Sequence, residues 1–367
     1  MRVLVVNAGS SSLKLSLLDD DDTVVAEEEL RAGGWGADRE ELGQALRGPL
    51  AGAQAVGHRI VHGGESFAGP VRVEGEVRER LQDLVDLAPL HQLRSLAALD
   101  AVSELLPDVP AVACFDTTFH AQMPAAAATY ALPARWRERW RLRRYGFHGL
   151  SHAWVARRAP QLLGVPSDGL RVVSAHLGAG ASLCAIAGGR SLDTTMGFTP
   201  LEGLVMATRS GSVDPGMLLW LIEHERLAPH ELAGALEHES GLLGLSGTAD
   251  MVELTRRALA GEARAELALA VYVHRLRAGV AAMAAAMGGI DVLAFTGGVG
   301  EGSAEVRRRT ARGLAFLGVS IAVQANASGE GDRDLSGPGS PVRTLVLRAR
   351  EDLEIAAQTR ATLATVS

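Results

Sequence analysis

The chain has few cysteines, no surplus of positive charge and no long uninterrupted apolar run. Its two cysteines, Cys114 and Cys184, each fall within a strand-like apolar run and share no paired spacing. That excludes a disulfide framework or a cysteine metal centre and points to reduced, buried thiols in a cytoplasmic protein. A net charge of −7 argues against a general nucleic-acid binder or a protein held on an anionic membrane, so any basic site must be local. The opening apolar residues 3–6 stop at Asn7, so no signal peptide is expected. The alanine-rich stretch 263–287 is broken by His274, Arg275 and Arg277 and reads as a soluble helix rather than a membrane span. The Gly-x-x-x-x-Gly-Lys-Ser/Thr phosphate loop is missing as well.

Three short turns rich in small residues are present instead. The first, Asn7-Ala8-Gly9-Ser10-Ser11-Ser12-Leu13-Lys14, lies between apolar runs 3–6 and 15–18 and predicts a hairpin. Gly9 lets a backbone approach an anion, the serines offer donors and Lys14 supplies charge, an arrangement suited to phosphate. A second turn, His176-Leu177-Gly178-Ala179-Gly180-Ala181-Ser182, repeats the pattern between residues 171–175 and 183–186. A third, Thr296-Gly297-Gly298-Val299-Gly300-Glu301-Gly302-Ser303, follows a strand at 292–295 and leads into a helix. With 367 residues two domains are the default expectation. Duplicated hairpins predict two related α/β domains that clasp a nucleotide, hence a phosphotransferase.

Other residues carry chemistry by position. A strand at 55–61 runs through His58, Arg59 and His62 to Gly63-Gly64. An arginine alternating inside an apolar strand is costly unless an anion meets it, whereas structural roles are expected for the histidines. Asp116 ends the strand at 109–115, where ligands of open α/β sheets gather. Residues 135–144 hold six arginines with Trp136 and Trp140, which reads as an amphipathic helix or subunit contact. His148 is a loop residue at a helix start, four before His152, and zinc is not expected there. Arg209 is a second isolated arginine, inside a glycine turn. Residues 33–43 and 326–341 read as surface loops, the latter mobile.

Together the segments Gly57-His58-Arg59-Ile60-Val61-His62-Gly63-Gly64, Phe115-Asp116-Thr117-Thr118-Phe119-His120, Tyr145-Gly146-Phe147-His148-Gly149, Gly197-Phe198-Thr199-Pro200-Leu201-Glu202-Gly203 and Thr208-Arg209-Ser210-Gly211, with the first turn, are similar to those of the acetate and propionate kinases. The resemblance spans nearly the whole chain in family order. It implies two duplicated actin-like (ribonuclease H-like) domains with a nucleotide cleft between them, residues 1–117 with a C-terminal helix at about 353–367, and residues 118–352. It also implies a cytoplasmic homodimer, with 263–287 as a candidate contact, and phosphorylation of a short-chain carboxylate by ATP with Mg²⁺ or Mn²⁺.

By the same resemblance Asn7, Ser10, Ser12 and Lys14 serve the phosphates and metal. Arg59 and Arg209 hold the carboxylate and the phosphoryl group, and His148 stabilises the transition state. Asp116 and Glu351 position the metal. His176, Gly178, Gly180, Asp250, Gly298 and Gly300 belong to the nucleotide side, and Val61, Leu90, Phe147 and Pro200 line the acyl pocket. Valine at 61 favours acetate over propionate. The chain departs from the family pattern at Ala179 and Val252, where asparagine and arginine are usual, and at Gly302 and Arg350, both usually asparagine. These changes cluster on the nucleotide side and make the phosphoryl donor the open question. Propionate or butyrate as acceptor, GTP or pyrophosphate as donor, and a non-catalytic nucleotide-binding protein are the competing readings.

Overall fold

A computed structural model describes residues 1–9, 12–33, 36–87 and 89–365, without the side chains of 32, 33, 36, 37, 86 and 89–91. The chain divides into two compact units: Met1–Gln122 with Phe147–Trp154 and Arg350–Ser367, and Met123–Gly146 with Val155–Ala349.

The first unit is built on a seven-stranded sheet. Its strands are β1 (Val3–Ala8), β2 (Ser12–Leu18), β3 (Val24–Gly33), β4 (Gly36–Ala37), β5 (Ala55–Ile60), β6 (Val71–Arg72) and β7 (Ala111–Phe115), in the order β4-β3-β2-β1-β5-β7-β6. β1 is apolar and buried through Val3, Leu4, Val5 and Val6, the composition of a strand covered on both faces. β2 alternates instead: Leu13, Leu15 and Leu17 are buried while Lys14 points to solvent. β1, β5 and β7 run parallel, which places their carboxyl ends side by side. Helix Pro89–Leu105 packs on β1 and β5, and the C-terminal helix Glu351–Ala364 packs on β1, β5 and β7. Gly57 makes that second contact close: a Cβ there would lie 2.4 Å from Thr359 Oγ1 and 2.6 Å from Ile355 Cγ2.

The second unit repeats the plan with β8 (Arg171–Leu177), β9 (Ala181–Ala187), β10 (Arg190–Thr194), β11 (Val292–Thr296), β12 (Arg333–Asp334) and β13 (Arg343–Val346), ordered β10-β9-β8-β11-β13-β12. A hairpin, its third antiparallel strand and two parallel strands occur in the same order in both sheets, so the fold is the duplicated actin-like α/β fold that the paired turns predict. Ala263–Ala286 is long and apolar enough to cross a membrane by composition. It packs against β8, β9 and β10 and buries Leu269, Tyr272, Leu276 and Val280 in the second unit. Neither cysteine forms a disulfide, both are buried, and burial pushes each thiol up to about 12.

Two expected surface loops have more structure than their composition suggests. Within 33–43, Asp38 caps the helix Arg39–Arg47 through Glu40 N at 2.7 Å, and Leu42 and Ala45 are buried. Within 326–341, Leu335 is fully buried and its N–H donates to Thr344 O at 2.7 Å, while Arg333 and Asp334 pair with β13. Leu335, with Ser336 Oγ accepting from Thr344 N at 2.8 Å and buried Asn326 bonded to Arg307, ties that polar stretch to the body of the unit. The tryptophan helix spans only Ala134–Trp140; Trp136 and Trp140 share a face, ring centroids 6.1 Å apart.

Candidate functional site

In the first unit the parallel strand ends gather four of the expected residues. Arg59, near the end of β5, donates from Nε and Nη2 to Asp116, just past β7, with Nη2 to Oδ2 at 2.6 Å. Its Nη1 donates to Asn7 Oδ1 on β1 at 3.1 Å, and Glu351, first residue of the C-terminal helix, lies 4.0 Å from Nε. The anion that the buried arginine requires is thus supplied by the protein. Burial disfavours the guanidinium's charge, but Asp116 and Glu351 outweigh it and raise its affinity for the proton. One cation and two carboxylates leave surplus negative charge among hard oxygen donors.

Phe147-His148-Gly149 is clamped beside this network. Gly149 N donates to Asp116 O at 2.7 Å, and a Cβ at 149 would lie 2.2 Å from that oxygen, so only glycine fits. His148 takes a left-handed backbone, φ 56°, immediately before helix Gly149–Leu163, a conformation that costs about 1–3 kcal/mol. Phe147 is buried, meets the edge of the His62 ring at 5.5 Å, and its carbonyl lies 3.2 Å from His120 Nε2. Val61 is buried, and Gln92 bonds both the N–H and the carbonyl of His62. Leu90 lies in helix Pro89–Leu105, its side chain outside the described residues, as is Ser10 altogether. The first turn closes by Gly9 N to Ser12 O at 2.8 Å. Ser12 Oγ donates to Glu29 at 2.6 Å, and exposed Lys14, the sole lysine of the chain, stands 4.0 Å from the same carboxylate.

In the second unit Arg209 is the counterpart of a different kind. It is half-buried, its Nη1 donates to Pro200 O at 3.3 Å, and among the described residues it pairs with no carboxylate. Burial lowers its hold on the proton, only partly offset by Glu237. The turn that carries it is fixed by Leu242 N to Met206 O and Ser240 N to Thr208 O, both 2.9 Å, and by Gly241, where a Cβ would lie 2.2 Å from Met206 O. Pro200 is held by a brace that the sequence reading missed: Tyr130 donates to Glu202 at 2.5 Å and accepts from Phe198 N, and Arg144 donates to Glu202 at 2.7 Å. Gly197 makes room for this brace, since a Cβ there would collide with Glu202 and Tyr130. Gly197 and Glu202 lay in a segment the sequence singled out, but nothing linked them to Tyr130 or to Arg144 at the end of the arginine-rich stretch.

A groove of about 660 Å³ lies in the second unit between the second and third glycine turns, lined in part by Gly178, Asp250 and Gly298, together with Ala179, Val252 and Gly302. Three of the six expected nucleotide residues and three of the departures therefore line one groove. Gly180 closes its turn by accepting from Gly178 N at 2.9 Å, and His176 pairs in register with Thr296 at the strand ends. Gly300 is buried; its carbonyl and that of Glu301 accept from Arg307, a fully enclosed arginine the sequence did not single out. Glu301 staples the third turn, accepting from Gly297 N and Ala349 N. Among the described residues no group of three His, Cys, Asp or Glu side chains could hold a metal ion.

Comparison with known proteins gives a consistent picture. The model of the acetokinase family matches residues 40–357. An acetate kinase of Deinococcus radiodurans is 45% identical, the match covering 98% of this chain and 97% of that one. The crystal structure of Porphyromonas gingivalis acetate kinase superposes with a TM-score of 0.91 at 37% identity, covering 99% of both chains. A propionate kinase from Francisella tularensis superposes with a TM-score of 0.90 at 33% identity, covering 98% of this chain and 99% of that one.

Proposed function

The chain belongs to the acetokinase family, a phosphotransferase family with a carboxyl group as acceptor, and within it we propose that this protein phosphorylates acetate from ATP, reversibly, giving acetyl phosphate and ADP. The observation that carries the reading is Arg209, a half-buried guanidinium with no protein carboxylate among the described residues, set beside the Pro200 carbonyl. A partly buried cation left without a protein counter-ion is suited to receive an anionic group of a substrate.

The chemistry asks little of the protein beyond positioning and charge. A carboxylate nucleophile is already ionised at neutral pH, so no general base is required. The phosphoryl group in transit spreads charge over its equatorial oxygens, and cationic donors stabilise that charge more than the ground state. We assign Arg209 and His148 to those oxygens and Arg59 to the carboxylate and phosphoryl group, with Asp116 and Asn7 orienting its guanidinium. Val61 and Phe147 would exclude longer acids. Asn7, Asp116 and Glu351 offer hard oxygens suited to a magnesium ion held largely through water and phosphate; when bound, that ion neutralises phosphate charge. The 660 Å³ groove would take the nucleoside. A homodimer in the cytoplasm completes the proposal.

Trapping acetyl phosphate as its hydroxamate, with acetate, propionate and butyrate each tried against ATP, GTP and pyrophosphate plus magnesium, tests it. Acetate with ATP should give the highest kcat/KM. Turnover confined to another acid or another donor would overturn the substrate assignment, and silence across the panel would overturn the reaction.

A further inference from the structure

A second groove in the second unit, about 790 Å³, has no part in the chemistry above. It lies between two stripes at helical spacing. Helix Ala263–Ala286 contributes Glu266, Ala270, His274 and Arg277, and helix Ala304–Gly313 contributes Arg308, Arg309 and Arg312. Four arginines and a histidine therefore converge in a chain whose net charge is −7.

The local carboxylates do not balance them. Glu266 is taken by Arg309 at 2.6 Å, and Glu305 is shared by Arg308 at 2.7 Å and Arg309 at 2.6 Å. Among the described residues Arg277 and Arg312 pair with no carboxylate. Arg277 donates from Nη2 to Gly313 O at 3.2 Å, while its Nε is buried with no hydrogen-bond partner. Guanidinium groups present planar forks that match oxyanions.

Glu305 ties this groove to the nucleotide groove, because its side chain is gripped by the basic stripe while the residue also lines the 660 Å³ groove. We propose that the basic groove binds a small multivalent oxyanion, of the phosphate or polycarboxylate class, and that this ion weakens nucleotide binding by drawing Arg308 and Arg309 away from Glu305. The carboxylate so released faces the bound nucleotide with its negative charge unmasked. The binding half of this inference stands alone; the effector half rests on the nucleotide reading given above.

Calorimetric titration of the full chain with inorganic phosphate, pyrophosphate and citrate, at ionic strength matched with potassium chloride, reads the site directly. The double variant Arg277→Gln/Arg312→Gln should bind at least roughly tenfold more weakly, while any oxyanion held at the phosphoryl-transfer site contributes equally to both proteins. Gly313→Ala is a second test that keeps every charge, since a Cβ there would lie 1.8 Å from Arg277 Nε and push it aside. Response to phosphate and pyrophosphate, or to citrate, supports the site and identifies its source. In the hydroxamate assay the effective anion should raise the KM for ATP severalfold in the parent protein and not in the double variant. Identical titrations of parent and variants would overturn the site, and an equal KM rise in both would overturn the effector role. Binding of polyglutamate but none of the small ions would replace the proposal with a macromolecular partner. Absence of turnover would leave the calorimetric result standing, which separates failure of the site from failure of the reaction.

Discussion

Asp116 accepts three N–H contacts from Arg59, the shortest at 2.6 Å, in a pair whose side chains are 2% and 18% exposed. Each member is what makes the other tolerable, so single removals should cost far more than the pair is worth. Asp116→Ala leaves an enclosed guanidinium with only Asn7 and the more distant Glu351, and should lower unfolding free energy by about 3 kcal/mol in urea titration. Arg59→Met combined with Asp116→Leu should recover most of that loss while remaining inactive. A double variant no more stable than Asp116→Ala would show that the pair does not stabilise the strand ends in this way.

Arg209 predicts the opposite coupling of stability and activity. Burial already lowers its hold on the proton, and its hydrogen-bond partner is the neutral Pro200 carbonyl rather than a carboxylate. Arg209→Ala should therefore raise the thermal midpoint or leave it unchanged while lowering kcat by roughly 10²–10³-fold. Calorimetry and the hydroxamate assay on one preparation check both signs. A variant that loses stability and keeps its turnover would reverse the assignment.

What could be read from the sequence was local. Gly9 and Gly178 mark hairpin turns because small residues interrupt apolar runs within a few positions, and both hairpins form with the expected duplication. The partner of Arg59 was not legible, for Asp116 lies 57 residues away and reaches it only through parallel pairing of β5 with β7. The Tyr130 and Glu202 contact joins residues 72 apart through a space that exists because Gly197 lacks a side chain. Leu335 was lost among glycines, serines and aspartates, since one buried leucine leaves no period to detect. Helix Arg39–Arg47 was masked by charged residues in its first turn that complement the helix dipole rather than oppose the helix.

Val61 and Phe147 are 6% and 2% exposed, close-packed positions where one methyl group matters. Val61→Ala opens space for about one further methylene on the acid. The ratio of kcat/KM for propionate over acetate should rise roughly tenfold or more, within the range one methylene commands in an apolar pocket. Unchanged selectivity would remove Val61 from the acyl pocket.

The buried histidines make the first unit sensitive to acid. His58 on β5 is buried, neither ring nitrogen has a hydrogen-bond partner, and burial pushes it down from 6.5 to about 4, with Asp100 opposing. His62 and His120 are likewise pushed down to about 4 by burial. In the unfolded chain these rings take up protons as pH falls below 6.5, whereas in the folded state they stay neutral until about 4. The unfolded state thus binds more protons at these rings across that window, so their contribution to stability is full above pH 6.5 and is lost as pH drops toward 4. His58 alone accounts for at most about 3 kcal/mol of that loss. His58→Leu exchanges an unpartnered polar ring for an apolar side chain, so it should be neutral or stabilising at pH 8 and should flatten the decline below pH 6.5. Urea midpoints of parent and variant between pH 4 and pH 8 measure both effects, and curves that remain parallel across the range would mean that His58 is not the group being protonated.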